Sequence, residues 1–172
     1  MPYLLDTDVL VASKRLHYHP DFCQIFWDWI DYGHSAGFFY SLDKVKLELM
    51  SGNEDDILYQ WCKRPGLANF FLTSKDSIPQ YAHLANWANL RQPAYIPAAL
   101  SKFLAVKGAD AWLIATASKM GATWQIVTNE VPAPDSKKDI KLPDAAKSLN
   151  VTTLSMTDLL KRHAKKNFGF VA

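Results

Sequence analysis

A three-layer α/β/α sandwich around a mainly parallel central sheet is the fold class this sequence predicts. Three observations predict it. Short runs of strand character, "YLL", "GFFYS", "TWQIVT" and "VTTLS", are spread along the chain. Longer segments with apolar residues at helical spacing separate them, the order that yields parallel strands joined by helical crossovers. A chain of 172 residues that is 49% hydrophobic is long enough to bury one sizeable core and short for two.

The elements follow in order. Tyr3–Leu5 reads as a short buried strand, after which the chain turns at Asp6-Thr7 into a helix from about Val9 to Leu16. Phe22, Ile25, Phe26, Trp29 and Ile30 then recur at helical spacing, with Pro20 near the start and Gly33 near the end, which predicts an amphipathic helix. "GFFYS" is a second strand, Ser41 a candidate N-cap, and "LDKVKLELM" a helix closed by Gly52. "EDDILYQWCKR" is a further helix stopped at Pro65-Gly66, and "NFFLTS" fits either a strand or a helix end. Residues 74–91 read as helical but polar, "PAALSKFLAV" as a helix with Pro97 in its first turn, and "GADAWLIATASKMG" as an Ala-rich helix ended by Gly121. "TWQIVT" is the clearest strand. The proline-rich "NEVPAPDSKKDIKLP" after it reads as loop, and "VTTLS" with "MTDLLKRHAKK" closes the chain as strand and helix. One domain spanning residues 1–172 is expected, with a helical insertion around residues 74–105.

Composition excludes several classes. Lys and Arg number 19 against 17 Asp and Glu, a formal charge of +2, so a nucleic-acid surface must be a local patch. Cys23 and Cys62 are too few for a disulfide framework or a zinc site and suggest buried packing in a reducing, cytoplasmic setting. Asp6 breaks the N-terminal apolar run too early for a secretory segment, and no stretch approaches the ~18 uncharged residues of a membrane span.

The acids carry the functional signal. In open parallel sheets the working site lies beyond the carboxyl ends of the strands. Asp6 ends the first strand, Thr128-Asn129-Glu130 ends the "TWQIVT" strand, and Asp110 opens a helix whose N-terminus belongs at the same rim. Glu48, between Leu47 and Leu49, falls at the boundary of a buried helix face if Val45 and Leu49 point inward. Each acid has a plainer reading: a helix cap for Asp6, a surface glutamate for Glu48, a first-turn acid for Asp110, a loop acid for Glu130. Brought together, four carboxylates repel and raise one another's pKa unless a cation joins them. A hard divalent ion with oxygen ligands, Mg2+ or Mn2+, fits that need.

"YLLDTDVLV", "SLDKVKLELM", "GADAWLIATA" and "IVTNE" resemble, in order and separation, the four acidic motifs of PIN-domain ribonucleases. The resemblance is closest to a prokaryotic PIN subfamily long catalogued as a domain of unknown function, with toxins of toxin–antitoxin pairs among its wider relatives. It spans nearly the whole chain and implies a metal-dependent endoribonuclease that hydrolyses RNA phosphodiester bonds. It also implies an antitoxin protein or a second copy of the chain, as a homodimer, over its apolar surface. Asp6 matches the family's first acid, Glu48 the second, Asp110 the third and Glu130 the fourth, while Thr7 and Thr128 match the hydroxyl residues beside them. The resemblance implies that Asp6, Asp110 and Glu130 hold the ion directly and that Glu48 orients a coordinated water or a second ion. Two departures stand out: Asp8 replaces a frequent Asn, and Glu130 is one methylene longer than the usual Asp, so Asn129 or Asp8 is an alternative fourth ligand.

Cations available to RNA lie near these acids in sequence: Lys107, Lys137, Lys138 and Lys141, and the tail group Arg162, His163, Lys165 and Lys166. A solvated charged face explains the tail group equally well. Six tryptophans could stack bases but fit a core better. Two other functions remain open. A strand ending in Asp-x-Asp also resembles the nucleophile motif of haloacid-dehalogenase-type phosphatases, with Asp6 as nucleophile and Asp8 as acid and base. A non-catalytic module that binds RNA or protein is the other.

Overall fold

The computed structural model describes residues 1–172. Five parallel strands form its sheet: β1 (Tyr3–Leu5), β2 (Phe39–Leu42), β3 (Phe71–Leu72), β4 (Gln125–Val127) and β5 (Thr152–Leu154), in spatial order β3-β2-β1-β4-β5. Nine helices surround it: α1 (Thr7–Ala12), α2 (Pro20–Ser35), α3 (Asp43–Leu49), α4 (Ile57–Cys62), α5 (Ile78–Leu90), α6 (Pro97–Phe103), α7 (Asp110–Met120), α8 (Leu142–Lys147) and α9 (Met156–His163). The architecture is the expected α/β/α sandwich, and its sheet is parallel throughout. Tyr3, Leu4 and Leu5 are all buried, as a strand covered by helices on both faces requires. The two edge strands are only two and three residues long, which limits exposed backbone.

The strand order has a direct consequence for function. From β1 the chain moves outward through β2 and β3, then returns across the sheet to place β4 on the other side of β1. The order therefore reverses between β1 and β4. Outside the carboxyl ends of that pair lies the crevice where open α/β sheets bind their ligands.

Both faces of the sheet are packed. On one, α2 and α9 cover Tyr3 and Phe39, with the Trp29 ring 4.7 Å from Phe39 and the His163 ring 5.2 Å from Tyr3. Gly33 lies within α2, where an added Cβ would overlap the Phe39 ring. The helix runs on to Ser35, and Gly37, at φ +81°, makes the left-handed turn into β2. Helix α7 packs across β2 and β4, with α5 and α8 against it. Ala111 through Ala117 are buried without interruption, so small residues let α7 sit centrally. The predicted insertion around residues 74–105 contains α5 and α6, and α5 is a principal neighbour of α7.

Several boundaries differ from expectation. Ser41 is no helix cap: it lies inside β2 and donates its hydroxyl to the Leu5 carbonyl at 2.6 Å. Helix α1 begins at Thr7, earlier than Val9, because Asp6 caps it, and a π-helical turn over Ser13–His17 widens its end. Helix α4 starts at Ile57, after Asp56 caps it through the Leu58 N–H at 2.8 Å. Residues 71–72 are strand, which resolves the ambiguous "NFFLTS". Helix α8 begins in the last two residues of the segment read as loop and runs on through Asp144–Lys147, which the sequence pattern leaves unassigned; six residues are too few to show a helical period. Trp27, Trp29, Trp61 and Trp112 are buried and Trp87 and Trp124 packed against the core, in keeping with the packing reading.

Candidate metal centre at the strand ends

The carboxylates singled out in the sequence meet at the reversal point of the sheet. Asp6 follows β1 and is 3% exposed, deeper than a carboxylate sits without compensation. Its backbone N–H donates to the Val127 carbonyl of β4 at 3.0 Å, so the sheet ladder itself places it. Oδ1 accepts from the Thr7 N–H at 2.7 Å and Oδ2 from the Thr128 hydroxyl at 2.9 Å. Asp6 is thus both the cap of α1 and a member of the acidic group. The two readings of its sequence are not exclusive.

Asp8, one residue into α1, turns to the same place. Its Oδ2 accepts from the Asn129 N–H at 2.9 Å and lies 3.3 Å from the Thr128 hydroxyl, whereas Oδ1 is buried and meets no donor. Asp31, Asp43 and Asp144 also bury an unpartnered oxygen; Arg64 stands 2.8 Å from Asp31, Lys147 3.9 Å from Asp144, and Asp43 accepts from the Ser74 N–H at 3.2 Å through its other oxygen. No Lys, Arg or His comes within ion-pair distance of Asp8. Its neighbours in charge are other acids.

Helix α7 delivers Asp110 to the rim because the helix precedes β4 and runs against the strand direction, which puts its first turn at the strands' carboxyl ends. Glu48 reaches across from α3, half-buried between Val45 and Leu49, which are buried as the helical period predicts. It bridges two helix starts: Oε2 accepts from the Thr7 hydroxyl and Oε1 from the Ala109 N–H at 2.9 Å. The latter amide is invisible to sequence reasoning, since any residue supplies one. Glu130 borders the group from a different stance. Its Oε2 accepts from the Leu142 N–H at 2.7 Å, at the start of α8, and its Oε1 lies 3.7 Å from Lys141 Nζ. Asn129 contributes a backbone N–H to Asp8 and leaves its side chain in solvent.

Electrostatics tie the five acids together. Burial first, then the charges of Asp8 and Asp110, push the Asp6 carboxyl well above the usual carboxylate range, against the pull of hydrogen bonds from Thr128 and Thr7. Asp8 is raised by burial and by Glu130, and lowered by the hydrogen bonds it accepts, from Asn129 above all. Asp110 is pushed up to about 6 by burial and then by Glu130, Glu48 and Asp8, with Lys102 opposing. Lys102, on α6, went unnoticed in the sequence because α6 folds back over the rim only in three dimensions.

The donor set is oxygen alone, carboxylates with the hydroxyls of Thr7 and Thr128, which suits a hard divalent cation. No three carboxylates converge into a finished ligand shell. Asp6, Asp8, Glu48 and Glu130 each accept instead from a nearby N–H or O–H. The buried Asp8 Oδ1 is the atom this arrangement leaves without a donor.

A family model described as Domain of unknown function (DUF4411) matches residues 3–167. No curated protein matches the chain, and no solved structure does.

Proposed function

The chain belongs to the DUF4411 family, and we propose that it is a Mg2+- or Mn2+-dependent endoribonuclease working at the rim between β1 and β4. One observation carries the reading: at the reversal point of the sheet, buried carboxylates raise one another's pKa around an oxygen of Asp8 that no protein donor meets. Asp6, Asp8 and Asp110 would hold the ion, with Glu130 at its margin. Once bound, the ion would activate water for attack on a phosphodiester and stabilise charge on the phosphate.

The protein's own groups have distinct tasks. The Thr7 amide and the Thr128 hydroxyl fix the orientation of Asp6. Glu48, with each oxygen accepting a hydrogen bond, ties the start of α1 to the start of α7 and so sets the separation of Asp6 from Asp110. Asp8 takes the fourth position more readily than Glu130, which is engaged at the start of α8. The resemblance to PIN-domain ribonucleases supports RNA as the substrate, and extends the reading to a toxin held by an antitoxin protein or paired with a second copy.

The test is a nuclease assay on diverse RNAs with Mg2+ or Mn2+, alongside chelator, Asp110→Asn and a phosphomonoester substrate. The account expects RNA cleavage that both chelator and Asp110→Asn abolish. Hydrolysis of the phosphomonoester alone would assign Asp6 as the covalent nucleophile of a phosphatase. Metal binding with turnover of neither substrate would leave a binding module.

A further inference from the structure

Beside the acids lies a second feature that they do not use. A cavity of about 380 Å³ opens between α1, α3 and α4 and shares Thr7 and Glu48 with the acidic rim. Its volume is in the range of pockets that hold a small ligand. Its far wall carries two cations, Lys14 and Arg15, from the π-helical turn that follows α1. In a regular helix consecutive residues diverge by about 100°; here the widened turn lets both line the same cavity. A single π-turn within a helix often marks a functional site.

The charges on that wall are not equivalent. Asp56 pairs with Lys14 and also caps α4, so it anchors the lysine, whose side chain is only 14% exposed. That hydrogen bond is the chief influence holding the Asp56 carboxyl below its ordinary range. Both oxygens of Glu48 are engaged, by Thr7 and Ala109. Arg15 is exposed and meets no carboxylate. Ser51 and Asn53 add polar groups to the lining. The pocket therefore holds one anchored cation and one free one, about 10 Å along α1 from Thr7 at the helical rise of ~1.5 Å per residue.

We propose that this cavity is a nucleotide-phosphate subsite: Arg15 and Lys14 bind the phosphate of the nucleotide adjoining the bond cut at the acidic rim, and so hold a single RNA strand against a surface that would otherwise repel it. The placement of the cut bond rests on the nuclease reading above; the anion site does not. Arginine supplies the planar, two-pronged donor that suits phosphate, and lysine a point charge. Neither residue lies in the basic segments near Glu130 or in the tail, where sequence alone places the RNA contacts.

Two measurements on the full chain test it. In the first, adenosine 3′,5′-bisphosphate is titrated calorimetrically into wild type, Arg15→Glu, Arg15→Lys, Lys14→Gln and a control at an exposed, unpaired lysine, Lys75→Glu. Binding should weaken about tenfold or more in Arg15→Glu, the scale of a lost charged phosphate contact. It should recover in part in Arg15→Lys, weaken in Lys14→Gln and stay unchanged in Lys75→Glu. Circular dichroism confirms folding of each variant, with Arg15→Glu decisive should Lys14→Gln unfold. In the second, RNA cleavage by Arg15→Glu should show KM raised about tenfold with kcat little changed, and a salt dependence reduced by about 0.7 in log–log slope, one phosphate contact on a single strand. Absence of bisphosphate binding, or binding indifferent to Arg15→Glu, overturns the subsite whatever the nuclease assay gives. Arg15-dependent binding without RNA cleavage upholds the subsite and overturns the nuclease reading instead.

Discussion

The two ends of β1 touch two buried polar networks built on opposite terms. At the amino end, Tyr3 meets His163, whose Nε2 lies 3.0 Å from the Tyr3 hydroxyl and whose Nδ1 lies 2.7 Å from the Val171 carbonyl. A carbonyl only accepts, so Nδ1 donates to it and Nε2 accepts from Tyr3; every polar atom of the imidazole is used. Trp29 Nε1 donates to the His163 carbonyl at 3.2 Å, and the Phe170 ring stacks 5.8 Å from the imidazole. At the carboxyl end, Asp6 and Asp8 share Thr128 and accept from backbone amides, yet Asp8 Oδ1 is left without a donor and the carboxyls of Asp6, Asp8 and Asp110 stand above their ordinary range. A network that closes on itself stabilises the fold. One that stays open stores unfavourable free energy for a ligand to release, which is where activity and stability compete.

The largest expected effect breaks the closed network. His163→Ala removes a buried ring and strands the Tyr3 hydroxyl and the Val171 carbonyl, and should cost about 3 kcal/mol in urea unfolding. The open network should respond in the opposite direction. Asp110→Asn removes a charge whose folded-state pKa stands about two units above its unfolded value, and should stabilise the protein at pH 7 by up to about 3 kcal/mol, on the scale of 1.36 kcal/mol per unit. The sign follows from proton linkage. A raised folded pKa means that the native state keeps a proton the unfolded chain has released, so stability is present below pH ~4 and is lost as pH rises to about 6. Unfolding free energies of wild type and Asp110→Asn should therefore converge as pH falls from 7 towards 4. Divergence in that window would reverse the assignment.

Smaller changes sharpen the contrast. Thr128→Val keeps shape while removing the hydroxyl that donates to Asp6, and should destabilise by about 1–2 kcal/mol, the cost of a buried acceptor left short of a partner. Glu130→Gln retains an acceptor for the Leu142 N–H but loses the pairing with half-exposed Lys141, and should change stability by less than about 1 kcal/mol. Equal effects of the last two variants would place Glu130 in the centre of the cluster rather than at its edge.

Much of this was legible in the sequence, for identifiable reasons. Strands β1 and β4 and helix α7 are dense in apolar residues between clear breakers, so their type and order follow from pattern alone. That Asp6, Asp110 and Glu130 lie at one rim follows from parallel strands and element ends, whereas Glu48, inside α3, is placed only by helical period and the resemblance. Details set by single contacts were not legible. Ser41 looks like a cap until its hydroxyl is seen on the Leu5 carbonyl, and no sequence pattern shows that Glu130 accepts from the Leu142 N–H at the start of α8. Asp8 gained importance because only the structure shows which of its oxygens lacks a donor. Arg15 and Lys14 drew no notice because their common cavity depends on a local widening of the helix that no periodicity encodes.

The most direct test of the open network is thermal unfolding of wild type and Asp110→Asn across a Mg2+ or Mn2+ titration at pH 7 and again at pH 5. A dication that completes the cluster should raise the wild-type Tm progressively with concentration at pH 7, as ligand linkage requires, raise it far less at pH 5 where protons compete, and leave Asp110→Asn nearly unmoved. A Tm indifferent to both metals at pH 7, or raised equally in wild type and variant, would contradict a divalent-ion site at the ends of β1 and β4.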